Sequence, residues 1–381
     1  MNSHMINNLL KFNLIIVFLF CIVFYSCKKD KELSNPKPDL YSKEDMLNNI
    51  GSNIILANYD SLNTSVLELE NAYNVFKSNI TLNNLNKIRI AFKNAYLSYQ
   101  QTSLFEFGPA ETVSYRVSLN TFPTDTNQII SNTNSNAYNL SAAENIDAKG
   151  FPAIDYLLFI FSKNDSLMIE KYKEPNLGSN RIEYLGALIG DIKSKVNSVY
   201  NGWKSSSGNY INTFKSATGS DVGSSISMLV NQLSYDLEII KNPKLGIPLG
   251  KKTLGNLMPD KCEGLYAGNS VQLMKKNLLN IYNTYAGIDA KGANINGLDD
   301  YVKFLNSEYN GIKLHDAINN QFQLALSKLN EVPDPLSSSL TNNRSKGEAA
   351  YTEIQKLVVI LKNDLASAIG IQITYQDSDG D

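Results

Sequence analysis

Apolar residues recur along most of the chain at intervals of three and four, the spacing of a single helix face. Leu85, Ile88, Phe92, Tyr96 and Tyr99 form one such stripe, with Thr81 ahead of it as a cap. Ile226, Leu229, Leu233, Leu237 and Ile240 form a second, and Val271, Met274, Leu278, Ile281 and Tyr285 a third. Ile318, Phe322, Ala325 and Leu329 form a fourth, and Arg181 to Trp203 keeps the same rhythm. Ser42 to Asp45 and Ser345 to Glu348 have capping-box spacing. The first opens a pattern that reaches Ser78; the second opens a stripe through Ala350, Ile354, Leu357, Leu361 and Leu365. Strand-like alternation is confined to Val113–Leu119 and Gly370–Tyr375. The pattern predicts an all-α chain whose helices form two four-helix-bundle-like domains packed side by side. Ser205–Ser225, rich in Ser, Gly, Asn and Thr, is the expected boundary, which places the domains at 41–215 and 216–381. Ser131–Asn139 reads as an exposed loop or a ragged helix end. No repeat of solenoid length is present.

The N-terminus breaks this rhythm. Asn13 to Phe24 is uncharged and apolar, as long as the core of a signal peptide and short of a membrane span. Tyr25-Ser26-Cys27 closes it, and Lys28-Lys29-Asp30-Lys31-Glu32 follows. This junction resembles the lipobox of bacterial lipoproteins. The resemblance implies a signal peptide at 1–26, cleavage before Cys27 and lipidation of Cys27. Residues 27–40, with Pro36 and Pro38, then read as a tether holding the body off the membrane. The charged run after Cys27 resembles the surface-export signals of Bacteroidetes lipoproteins. The expectation is an outer-membrane lipoprotein, periplasmic or surface-exposed; an uncleaved N-terminal anchor is the alternative. Met5 stands as an alternative start to Met1, and from it His4 would carry no function.

Charge and composition narrow the chemistry. Lys+Arg is 35 and Asp+Glu 37, so no basic surplus points to nucleic acid. Two His and three Cys exclude Cys/His zinc fingers and a dense disulfide framework. With residues 1–26 removed and Cys27 lipidated, Cys262 is the remaining thiol and no intrachain disulfide can form. HExxH is absent. His315 shares a face with Ile318 and Phe322 and is expected as a hydrogen-bonded core residue; Cys262 is expected as a small buried hydrophobe. Asp377, Asp379 and Asp381 lack the rest of an EF-hand loop and read as a solvated tail.

Several segments, in order, resemble the imelysin family, also classed as M75 peptidases and including iron-regulated bacterial lipoproteins. They are Phe105-Glu106-Phe107-Gly108-Pro109, Gly150-Phe151-Pro152-Ala153-Ile154-Asp155, Lys244-Leu245-Gly246-Ile247-Pro248-Leu249-Gly250, Glu263-Gly264-Leu265-Tyr266-Ala267-Gly268-Asn269-Ser270 and the end from Ala368. The resemblance implies two helical bundles related by duplication, a site in the cleft between them and a role near iron uptake. It also marks a departure. Where the family carries GxHxxE, the His position is Pro152 and the Glu position Asp155. Proline cannot ligate, so an imidazole–carboxylate zinc site is lost, while an oxygen-rich site for iron or another divalent metal stays open. Pro at the first helical position and Asp in the first turn also fit an ordinary helix start.

The ligand-binding candidates are Asp155, Glu263, Tyr266, Arg116, Arg181 and Ser270, with Asp155 and Glu263 as metal candidates and no catalytic residue named. Arg116 and Arg181 either anchor an anion or pair with Asp155 or Glu263. The leading expectation is a binding lipoprotein for a small ligand or metal chelate, working beside an outer-membrane transporter or receptor. The alternatives are an M75-type metallopeptidase and a SusD-like lipoprotein that captures nutrients or glycans.

Overall fold

The Thr81 hydroxyl accepts a hydrogen bond from the Asn84 amide at 3.3 Å, and the helix it caps runs from Leu82 to Tyr99. Its stripe is buried throughout, as the three-and-four spacing requires. Most of the computed structural model, which describes residues 41–160 and 164–375, follows the same logic. Cys27, the expected lipobox and tether, and Asp377, Asp379 and Asp381 lie outside the described residues.

The elements run in order as α1 (Lys43–Asn49), α2 (Leu56–Ser78), α3 (Leu82–Tyr99), α4 (Tyr115–Asn120), α5 (Thr126–Ser135), α6 (Gly150–Phe159), α7 (Asp165–Lys173) and α8 (Leu177–Trp203). Then come α9 (Tyr210–Ser216), α10 (Ser225–Ile239), α11 (Ser270–Tyr285), α12 (Leu298–Leu305), α13 (Leu314–Asn330), α14 (Leu336–Asn342), α15 (Arg344–Val359) and α16 (Ala366–Ile369). Among the described residues three π-helical turns occur: Ile50–Ile55 and Ile360–Leu365 interrupt otherwise continuous helices, and Ile240–Gly246 ends α10. In the last of these, Pro243 lacks the N–H that an α-helical bond to Ile239 would use. Among the described residues the fold is all-helical apart from one small hairpin and an isolated bridge between Ile288 and Asn294.

Helices α2, α3 and α8 pack together with α6 and α7 against them, while α10, α11, α13 and α15 form a second group. Helix α9 returns to α1 and α8, and α11 also packs on α3. Residues from Lys43 onward cluster as one compact unit. Trp203 ends α8 fully buried, its ring edge-on to Phe107 at 5.9 Å, Tyr210 at 4.9 Å and Phe214 at 5.3 Å. Near the C-terminus the Asn231 side chain donates to the Gln372 carbonyl at 3.0 Å and accepts from the Thr374 amide at 2.7 Å.

Four expectations need correction. Val113–Leu119 is not a strand: it closes a 3-10 turn (Gly108–Val113) and enters α4. Gly370–Tyr375 forms no strand either. The observed strands are β1 (Glu308–Tyr309) and β2 (Ile312–Lys313), an antiparallel pair too short to leave a periodic trace. Ser345 lies inside the first turn of α15, so Asn343 and not Ser345 occupies the capping position. His315 is only partly buried and contacts the exposed Asp316 carboxylate at 3.3 Å, so it is no core residue.

Candidate functional site

Helix α6 begins at Gly150, where φ is +73° and a Cβ would sit 2.3 Å from the Leu119 carbonyl oxygen. Only glycine fits both constraints. The start is thereby pressed against the end of α4, with Pro152 as the third helical residue and Asp155 in the second turn. Asp155 is therefore not a first-turn charge serving its own helix. It is 1% exposed, and its two carboxylate oxygens accept the backbone N–H groups of Tyr266 at 2.9 Å and Ala267 at 2.8 Å. Burial pushes its pKa up to about 7, against the pull of those two N–H donors and of Lys93.

The clamped segment is the Glu263–Ser270 stretch. Glu263 is also 1% exposed, but it faces a different environment. One carboxylate oxygen accepts from Asn120 Nδ2 at 2.7 Å, Gln100 Nε2 at 2.9 Å and Tyr96 Oη at 3.4 Å. The other lies 3.2 Å from the Lys244 ammonium, which is equally buried. Lys244 also donates to Gln100 Oε1 at 2.7 Å and Asn277 Oδ1 at 2.9 Å. The Asn277 amide then bridges to Asp236 and, at 3.1 Å, to Ser103. Arg116 lies 3.7 Å from Asp236 and donates to the Ser103 carbonyl at 2.8 Å and Gln232 Oε1 at 3.1 Å, while its backbone amide donates to Glu106 at 2.8 Å. A continuous buried polar network thus joins α3 and α4 to α10, the Ile240–Gly246 turn and α11. Such a network specifies one arrangement, because each member left unpaired would carry the full cost of its desolvation.

Between these two carboxylates the chain acts as a partition. Glu263 turns inward to the network, while Cys262, Gly264 and Tyr266 line a cavity of about 220 Å³ on the other side. Thr124, Thr126, Pro152 and Asp155 complete most of its wall, with Asp260 and Lys261 also in the lining. Gly264, at φ +61° and with Asn269 Oδ1 2.7 Å from where a Cβ would stand, makes the turn that lets neighbouring residues face opposite ways. Tyr266 meets Tyr156 edge-on at 5.1 Å, and burial pushes its hydroxyl up to about 12. Cys262 is buried as expected, and its thiol is pushed up to about 12, chiefly by that burial. Ser270 opens α11 and is buried.

The structure brings Asp155, Tyr266 and the Glu263 backbone together, and places Arg116 at the far end of the Glu263 network. Arg181 stands apart. It pairs with Glu174 at 2.9 Å and lines a separate cavity with Tyr156 and Tyr172. Neither arginine pairs with Asp155 or Glu263; Lys244 takes that place beside Glu263. Sequence reasoning missed Lys244, Gln100, Asn120, Asn277 and Asp236. A signal was present: Gln100 and Ser103 continue the buried stripe of α3 at helical spacing, and Asn277 sits between Met274 and Ile281.

Among the described residues, no three His, Cys, Asp or Glu side chains converge on a point where a metal ion could sit. Both Asp155 oxygens are already engaged by backbone donors, and Glu263 is engaged by Lys244 and three neutral donors. The donor set does not fit a resident metal.

Comparison with known proteins adds the relatives. Iron-regulated protein A of Synechococcus elongatus is 24% identical over 305 residues, 77% of either chain. The crystal structure of a candidate iron-regulated protein A precursor from Parabacteroides distasonis superposes with a TM-score of 0.71 at 18% identity, covering 88% of this chain and 97% of that one. An imelysin-like protein from Psychrobacter arcticum gives a TM-score of 0.66 at 15% identity with the same coverage. The sequence profile of peptidase family M75, imelysin, matches residues 55–363, and the chain accordingly belongs to the imelysin family.

Proposed function

We propose that this protein is an envelope-located binding protein in iron acquisition, and that it captures a small iron chelate in the cavity walled by Asp155 and the Cys262–Tyr266 segment. The observation that carries this reading is the partition itself. A buried carboxylate on each side holds one short segment rigid, and that segment forms the wall of the cavity. Rigid support beneath exposed loop groups is what a binding site needs. The ligand is a chelate and not a bare ion, because Asp155 and Glu263 are already committed and Asp260 is the one acidic side chain left in the wall. Thr124, Thr126, Asp260 and Tyr266 offer hydroxyl and carboxylate groups suited to the periphery of a chelate. Iron enters from the relatives, two of which carry the name iron-regulated protein A.

Capture and not cleavage follows from Pro152, which stands where a ligating imidazole would be needed. Anchoring through a lipid on Cys27 and delivery to an outer-membrane transporter or receptor complete the proposal; among the described residues no helix is long and apolar enough to cross a membrane. Isothermal titration of the purified protein with ferric citrate, beside an Asp260→Asn, Tyr266→Phe double variant, tests the site. The expected result is saturable binding that weakens at least tenfold in the variant. Equal binding by both proteins removes this cavity from the function, and chelator-sensitive degradation of unfolded casein would restore the peptidase reading.

A further inference from the structure

A second polar cavity, of about 170 Å³, lies where the Ile50–Ile55 turn and α2 meet α11 and the loop after it. Lys276, Asn280 and Asn283 line it from α11 at intervals of four and three, so they share one face of that helix. Asn58 and Gln101 line it from the opposite side, and Asp289 closes it from the loop.

Two groups in this cavity lack the partners that groups in their position ordinarily have. Asn280 is 3% exposed, yet its Nδ2 has no hydrogen-bond partner. The orientation of this amide is pinned. Asn58 Nδ2 donates at 3.1 Å to the Gln101 backbone carbonyl, which can only accept, so the same Nδ2 must also donate at 3.0 Å to Asn280 Oδ1. The free atom on Asn280 is therefore a donor. Lys276 is half-buried and, among the described residues, makes no ion pair or hydrogen bond. Burial without a compensating carboxylate holds its ammonium below its ordinary pKa. An unsatisfied N–H₂ and an unpaired ammonium on one helix face call for an acceptor with negative charge. Asp289 limits that charge. One of its oxygens is spent on the Lys291 and Ala293 amides, but its carboxylate still stands in the wall and opposes a second negative charge.

The geometry points to a site for a small carboxylate monoanion, held by the Lys276 ammonium and Asn280 Nδ2, in the cavity between α2 and α11. It is separate from the Asp155 cavity and shares no lining residue with it. Within the amide-lined cavity the carboxylate satisfies the orphan donor and the unpaired ammonium together, and Asn283 and Gln101 are placed to meet a hydroxyl on a short organic acid.

Lysine labelling of the full chain by an N-hydroxysuccinimide ester, read by mass spectrometry, tests this. Exposed Lys346 serves as the internal reference. The expected result is that 50 mM acetate or lactate slows Lys276 labelling at least threefold relative to Lys346, while acetamide and chloride at matched ionic strength do not. Because Lys276 has no partner to lose, Lys276→Met should fold normally, and it should lose the rise in melting temperature that acetate gives the parent protein. Equal labelling in acetate and acetamide overturns the proposal. So does a full acetate-induced thermal shift in Lys276→Met.

Discussion

Asp155 and Glu263 are two carboxylates buried to the same degree, and the protein treats them differently. Glu263 has a cation within 3.2 Å and three neutral donors around it. Asp155 has two peptide N–H groups and no cation in contact. A buried charge beside a lysine depends on that lysine, whereas one held chiefly by peptide dipoles stays close to protonation near neutral pH. The comparison teaches that the Glu263 side of the partition is an electrostatic joint and the Asp155 side a titratable latch.

The sharpest way to break the contrast is Lys244→Met. It leaves Glu263 buried without its cation, and the cost should be roughly 3–5 kcal/mol in denaturant unfolding. Adding Glu263→Gln should return part of that loss, since the remaining group is neutral and keeps hydrogen bonds to Asn120 and Gln100. A double variant as unstable as the single one would mean that lysine packing, not charge, holds the joint.

The latch responds to pH. The folded pKa of Asp155 is raised, to about 7, above the value of 3.8 for an ordinary aspartate. Between those values the unfolded chain is ionised while the folded protein keeps its proton. Asp155 therefore contributes stability at low pH that is lost as pH rises through about 7, on the order of a few kcal/mol. Asp155→Asn should remove this slope, so the variant gains on the parent between pH 5 and pH 8 in urea midpoints. Parallel curves would place the carboxylate in its charged form throughout.

Smaller effects sharpen the boundary of each region. Tyr96→Phe removes one hydroxyl that reaches Asn120 at 2.6 Å and Glu263 at 3.4 Å, and should cost about 1 kcal/mol. Arg181→Ala breaks a partly exposed pair outside both regions, and should shift the urea midpoint least of these variants, less still in high salt. An Arg181 effect as large as that of Lys244 would show that the Arg181 cavity is coupled to the Glu263 network.

How much of this was legible beforehand follows from what one dimension can carry. The stripes of α3, α10, α11, α13 and α15 were legible because burial of one helix face imposes a period. Val113–Leu119 misled for the same reason: its polar and apolar residues alternate, yet Tyr115, Ser118 and Leu119 are buried together on one short helical face. Asp155 stood out only through the motif it departs from, and nothing local indicated that its partners would be two amides more than a hundred residues away. Lys244, Asn277 and Gln100 were missed because such side chains ordinarily mark solvent. Their burial depends on one another, and that dependence exists only once the helices have met. The π turns left no trace beyond Pro243.

Those widened turns have a consequence of their own. Each accommodates one residue more than a regular helical turn would. Deleting a residue from Ile360–Leu365 would let the helix continue as uninterrupted α while Ala366–Ile369 keeps close to its present orientation and Thr374 stays within reach of Asn231. Insertions and deletions at these points are absorbed by the turn, so that a lineage can change the residue count of a rod without re-aiming its end.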